Sequence, residues 1–210
     1  QSSVTMAIQI YKTGIAQTET AIPPTGTPDT IVNANGYLMK RIGEDQSWMI
    51  QIISNGLLFW IDQTEVTFSQ YERCVAAKKC ASLMADANLS RITRLDMPAV
   101  NLTWIQAADY CTWAGKQLPS GEFWQIAAGN EFEIIYPWGN EKPDETLLNA
   151  DKVNSAPLPV GSYPSGASPY GVLDMTGNVW EWVAGAADEA DNPDMRYIRG
   201  GSWQTAYSDI

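Results

Sequence analysis

The chain of 210 residues contains no histidine. Ser-His-Asp catalysis, His-ligated zinc and the histidine facial triad of non-haem iron are thereby excluded. Phenylalanine is scarce: four Phe stand against nine Trp and nine Tyr, so most large rings carry an N–H or O–H that needs a partner when buried. Positive charge is short as well, with 13 Lys and Arg against 24 Asp and Glu and a formal net charge of −11. Such a surface repels a phosphate backbone or an anionic lipid face, which argues against nucleic acid as a partner and favours cations. The same excess also serves solubility alone. No apolar run approaches the roughly 20 residues that cross a bilayer, and no basic stretch precedes an apolar one in the manner of a signal peptide.

What the chain has in quantity is turn chemistry around large rings. A hydrophobic content of 45% over this length supports one sizeable core, and 16 Gly with 12 Pro favour a loop-rich α+β domain over a helical bundle. Val4, Ile8, Tyr11 and Ile15 recur at helical spacing, which predicts a stalk or assembly helix over residues 1–20. A Thr/Pro-rich tract containing Pro23, Pro24 and Pro28 follows, and residues 21–36 read as a stiff linker or, equally, as part of a disordered tail. The globular domain is then expected over residues 37–210.

Cys74 and Cys80 bracket five residues at the end of a helical pattern, a spacing that suits a local disulfide and hence a compartment outside the reducing cytosol, with two free thiols as the alternative. Cys111 lies in an apolar helical stretch, as a buried thiol or as one half of a bridge to a cysteine beyond these residues. Short apolar segments between Tyr37 and Ile53 read as strands, and Asn55-Gly56 before Leu57–Ile61 predicts a hairpin. Thr67 with Gln70 and Thr103 with Gln106 form capping-box signatures opening two helices, the second ending near Gly115, and Ser120 caps a third over Glu122–Ala128. Trp104, Trp113, Trp124 and Trp138 are expected to pack in the core. Beyond Gly129 the pattern is dominated by turns.

The blocks Phe59–Thr67, Trp104–Pro119, Tyr136–Asn140, Gly161–Pro164, Tyr170–Trp182 and Arg199–Trp203 follow one another with spacing that closely resembles the sulfatase-modifying-factor family, whose founding member is the formylglycine-generating enzyme. The resemblance runs from about residue 37 to the end. It implies an α+β, C-type lectin-like fold of low regular secondary structure, here preceded by the short helix and linker. Family members normally continue to a Gly-Phe-Arg ending, so the domain is expected to lack its C-terminal end, and Cys111 matches a position that some relatives bridge to that end.

Family enzymes oxidise a client cysteine to formylglycine with copper(I) held by two cysteines, soft ligands that suit that ion. The resemblance places those cysteines two and seven residues after the aromatic of Gly200-Gly201-Ser202-Trp203, where this chain has Thr205 and Ile210. A hydroxyl and a branched alkane cannot replace two thiolates, so no catalytic residue is assigned and copper is disfavoured. Sulfoxide-synthesising relatives use histidines, which are absent here. The family's Gly-rich segment near its start has no counterpart between Ile42 and Asn55, and an acid expected before the third helix's Trp is Phe123.

A calcium ion is also implied by the resemblance, through the side chains of Asp174 and Glu181 and the carbonyls of Gly177 and Val179. Two carboxylates flanking a turn supply the hard oxygens calcium requires, although both could instead bond only to backbone amides. A second family site would use Asn149 and the Ala150 carbonyl, with its partner loop shortened between Asp151 and Pro157. In relatives the neighbourhood of Trp180 and Trp203 borders a substrate cleft, and Arg199, Ser202, Gln204, Thr205 and Tyr207 add polar groups beside them, making this the candidate ligand surface. The expected function is a non-catalytic, extracytoplasmic recognition or display module that binds a protein, peptide or glycan, with membrane tethering or assembly through the N-terminal segment. The alternatives are a formylglycine-type oxidase whose cysteines lie elsewhere, and a structural subunit of a surface filament or envelope layer.

Overall fold

Alternating apolar positions from Met39 to Ile61 build the central feature of the fold, an antiparallel sheet ordered β1-β2-β3-β4: β1 Thr30–Val32, β2 Leu38–Ile42, β3 Ser47–Ser54 and β4 Leu57–Asp62. The computed structural model describes residues 29–83, 95–188 and 192–210. The expected stalk helix and the linker up to residue 28 lie outside the described residues. β1 falls inside the stretch read as linker. Its Thr-Ile-Val triplet suits a pleated surface and pairs with β2 as Thr30↔Lys40, Ile31↔Met39 and Val32↔Leu38. Asn33 closes the connection, its side-chain oxygen accepting from the amides of Asn35 at 3.1 Å and Tyr37 at 2.9 Å, and its Nδ2 donates to the Tyr170 carbonyl at 2.8 Å. Asx chemistry among Thr and Pro is easily taken for linker.

Asn55 and Gly56, at φ 49° and 77°, make the two-residue turn between β3 and β4. Both central residues are left-handed, as a type I′ hairpin requires. The register pairs Ile50 with Ile61 and Ile52 with Phe59, all four fully buried. Each such side chain contributes about 1.5–3 kcal/mol on leaving water.

The three predicted helices form as α1 Phe68–Ala76, α2 Trp104–Trp113 and α3 Gly121–Ala128, capped by Thr67, Thr103 and Ser120, and both capping boxes are complete. Tyr71 of α1 stacks on Tyr110 of α2 with centroids 5.7 Å apart. The Cys74–Cys80 disulfide is formed and Cys111 is a buried free thiol. Past Gly129, whose φ of 98° ends α3, single 3₁₀ turns and loops run to a two-stranded ribbon, β5 Glu181–Asp188 paired with β6 Asn192–Arg199. Among the described residues no helix is long and apolar enough to cross a membrane.

Indoles fasten this ribbon to the helices. Trp104 Nε1 donates to the Val183 carbonyl at 2.9 Å, Trp182 Nε1 to the Leu102 carbonyl at 2.9 Å, and Trp124 Nε1 to Glu181 Oε2 at 2.5 Å. Trp104, Trp113 and Trp124 join the core, as expected from the sequence. Trp138 does not: it stacks on Tyr136 with centroids 5.1 Å apart, and its Nε1 reaches the Glu141 carbonyl at 3.0 Å. Tyr136 and Gly139 bond each other's backbones, and that tight turn holds the indole within its own loop. Phe123, in place of the expected acid, packs edge-on against Phe59 at 4.8 Å.

Candidate functional site

The turn Asp174–Glu181 is held open by residues that only its backbone path allows. Asp174, Gly177 and Asn178 lie at φ 58°, 84° and 53°. A Cβ on Gly177 would stand 2.6 Å from the Asn149 carbonyl oxygen, so glycine is required there. That same carbonyl accepts from the Asn178 amide at 2.8 Å. Asn178 is the hub: its Nδ2 donates to Glu65 Oε2 at 2.7 Å, and its Oδ1 accepts from the Leu158 amide at 2.8 Å and from Asn149 Nδ2 at 3.1 Å.

Three buried carboxylates surround this turn. Glu65 also accepts from the Val179 amide at 3.2 Å. Asp174 Oδ2 accepts from the Gly161 amide at 2.6 Å. Glu181 gives one oxygen to Trp124, and its Oε1 is buried without a hydrogen-bond partner. Burial pushes the Asp174 carboxyl up to about 6. Burial, added to the charge of Asp174, pushes Glu181 up to about 8. Glu65 stands well above the usual carboxylate range, through burial first and then through the charges of Asp174 and Glu181. Acids left this close and this dry are stabilised by a proton or by a cation.

The residues fit calcium. The orphaned Glu181 Oε1 is a hard acceptor lacking a donor, and Asp174 lies within its electrostatic reach. Among the described residues no three Asp, Glu, His or Cys side chains form a metal cluster. A cation at this turn would need main-chain oxygens besides the carboxylates, and the Gly177 and Val179 carbonyls that the resemblance implies belong to the same turn. At the second site that the resemblance implies, Asn149 Oδ1 accepts from Asn154 at 3.2 Å, and the Ala150 carbonyl accepts from the Val153 amide at 3.1 Å. Sequence reasoning missed Glu65, although it lies inside the Phe59–Thr67 block that supported the resemblance.

The loop after Arg199 folds onto this turn. The Trp203 amide donates to the Asn178 carbonyl at 2.9 Å, and the carbonyls of Trp203 and Thr205 accept from Lys152 and Asp151, both at 2.8 Å. Ser202, one of the residues of the candidate ligand surface, is buried, and its Oγ accepts from the Gln204 amide at 3.3 Å within the loop. Thr205 Oγ1 accepts from the Ser202 amide at 2.9 Å. Trp180, Trp203, Thr205 and Tyr207 are half-buried and Gln204 is exposed. Burial first, then Asp151, Asp144 and Glu145, raises the Tyr207 phenol. Arg199 turns to α3, with Nη2 3.4 Å from where a Gly121 Cβ would lie and its guanidinium 5.7 Å from the Tyr197 ring.

Residues 23–210 match the family of sulfatase-modifying factor enzyme 1-like domains. The chain is 40% identical over 121 residues to the inactive C-alpha-formylglycine-generating enzyme 2 of Bos taurus, covering 52% of this chain and 40% of that protein. It is 34% identical over 127 residues to hercynine oxygenase of Mycobacterium tuberculosis, covering 51% and 30% respectively. It is 36% identical over 129 residues to the serine/threonine-protein kinase pkn1 of Chlamydia caviae, covering 54% and 20%. The chain thus spans 40% or less of the length of these curated relatives.

Proposed function

Because this chain belongs to the sulfatase-modifying factor enzyme 1-like family, we propose that it is a non-catalytic recognition module that presents the Trp203–Ile210 loop to a protein, peptide or glycan. One observation carries this reading. Thr205, which the resemblance aligns with the first copper-binding cysteine, uses its hydroxyl to close the Ser202–Thr205 turn. Ile210, at the second position, offers no donor atom. A soft monovalent copper site needs two sulfurs, and Cys111, buried and with its thiol pushed up by that burial, is a poor substitute. The likeness to a protein named inactive supports the same conclusion.

Calcium, held by Asp174, Glu181 and the Gly177 and Val179 carbonyls, supplies rigidity to this module by neutralising buried charge. It fixes the turn to which the Trp203 amide is bonded. The Cys74–Cys80 disulfide supports an extracytoplasmic setting. The two small antiparallel sheets and the long loop region between α3 and β5 support reading the fold as a C-type lectin-like variant.

Peptide and glycan arrays probed with the wild-type protein and with Trp203→Ala test the proposal. Retention of a ligand class by the wild type and its loss in a folded Trp203→Ala variant is expected. Identical retention by both would remove this loop from recognition.

A further inference from the structure

One face of the β1–β4 sheet is built into the core with α1, α2 and α3, through Ile50, Ile52, Phe59 and Ile61. Side chains alternate along a strand, so the residues between these form the opposite face. There Val32 stands opposite Leu38, and Ile53 stands opposite Leu58. Val32 is 63% exposed, Leu38 37% and Ile53 64%, while Leu58 is half-buried. Met49 and Trp60 alternate onto this face as well. Both are buried, yet among the described residues neither joins the core on the other side. Aliphatic side chains paired across strands and left in water mark a surface that takes a partner. None of these residues belongs to the Asp174–Glu181 turn or to the Trp203 loop.

We propose that the occupant of this face is the chain's own N-terminal segment, with Val4, Ile8, Tyr11 and Ile15 packed on Val32, Leu38, Ile53 and Leu58. Three observations select it over a second copy or a foreign partner. The first is reach. Residues 1–28 lead directly towards β1, the strand at the edge of this face. Residues 21–28 can span up to about 26 Å, whereas four strands are together about 14 Å across. So short a tether also holds the segment at about millimolar effective concentration. The second is dimension. Val4, Ile8, Tyr11 and Ile15 recur at the spacing that places side chains on one side of a helix, and they would cover about 17 Å, close to the width of the sheet. The third is charge. Lys12 and Glu19 are the only charged residues among the first twenty and they cancel, so the segment approaches an acidic domain without repulsion. A second copy would instead bring a net charge of −11 against another of −11. The segment thus acts as a clasp on its own domain and not as a free stalk.

The test replaces Ile53 by p-benzoylphenylalanine in the full chain, irradiates an equal mixture of unlabelled and heavy-isotope protein, and maps the cross-linked peptides by mass spectrometry. Because Ile53 is exposed, the change leaves the core untouched. The expected product joins position 53 to a peptide within residues 1–20 of the same chain. The same probe in place of Ile105, which is 67% exposed on α2, measures random collision of the tethered segment and is expected to give at least tenfold less product. Ile8→Asp puts a charge into the apolar stripe and is expected to lower the yield at position 53 at least tenfold. Thr13→Asp puts the same charge on the opposite side of the predicted helix and is expected to leave the yield unchanged. Products joining unlabelled to heavy chains would identify a second copy as the occupant and overturn the proposal. No product with residues 1–20, equal yields from positions 53 and 105, or equal yields in Ile8→Asp and Thr13→Asp would overturn it as well.

Discussion

Thr205 and Ser202 bond to each other twice: Thr205 Oγ1 accepts from the Ser202 amide and the Thr205 amide donates to the Ser202 carbonyl, both at 2.9 Å. The hydroxyl therefore acts as a clip on the loop at the position where the family resemblance expects a metal-binding sulfur. Thr205→Val keeps the shape and removes the acceptor, leaving the Ser202 amide without its partner. A loss of about 1 kcal/mol in urea unfolding is expected. Ile210→Val is expected to change stability by much less, and equal effects would contradict the clip.

Lys116 is the only cation bonded to two buried acids among the described residues. Burial alone would favour its neutral form, but Asp62 and Asp45 outweigh that and hold its ammonium above the ordinary lysine value. Lys116→Met strands two buried carboxylates and is expected to cost about 3–5 kcal/mol. Adding Asp62→Asn should recover part of the loss. A variant within 1 kcal/mol of wild type, on the order of an exposed ion pair, would show that the cluster is hydrated.

Buried Asp174 and Glu181 make stability depend on pH, and the proposed calcium ion predicts a second dependence at the same turn. In the folded chain they hold their protons to about 6 and about 8, against ordinary values of 3.8 and 4.5. Between the unfolded and folded values the folded chain binds more protons than the unfolded one, so stability falls as pH rises through that window. In chelator the melting temperature should drop from pH 5 to pH 8. Calcium at pH 8 should raise it again, because the cation takes over the role of the protons. A flat profile with no calcium response would remove the cation from this turn.

Cys74 and Cys80 close a short loop at the end of α1. Closing a loop of this length contributes about 2 kcal/mol through the unfolded chain. Replacing both by serine is expected to lower stability by that amount, and Cys111→Ser is expected to matter through packing alone. Unfolding curves with and without reductant check the pair.

Local signals carried most of the described fold. Thr67 with Gln70, Thr103 with Gln106, Ser120, and Asn55-Gly56 each contain their own geometry within four residues, so caps and hairpin could be read without the tertiary structure. β1 was masked because its Thr-Ile-Val triplet follows a Pro-rich tract and its partner, β2, is non-local evidence. Trp138 showed the limit of composition, since a ring beside Gly139 stacks on Tyr136 in a closed turn and leaves the core to others. At the site, Asp174 and Glu181 were visible as a motif. Glu65 was not, because it meets Val179 across 114 positions of chain. Burial of Ser202 was equally invisible, since a serine next to two glycines reads as surface.

The most direct test of a non-catalytic scaffold is mass spectrometry of a peptide bearing a sulfatase-motif cysteine, incubated with the protein, copper(I) and oxygen, beside an active formylglycine-generating enzyme as control. With Thr205 and Ile210 at the two family positions, the peptide is expected to remain unchanged while the control converts it. Formylglycine formed by this protein would contradict the account and require another thiol pair to hold the copper.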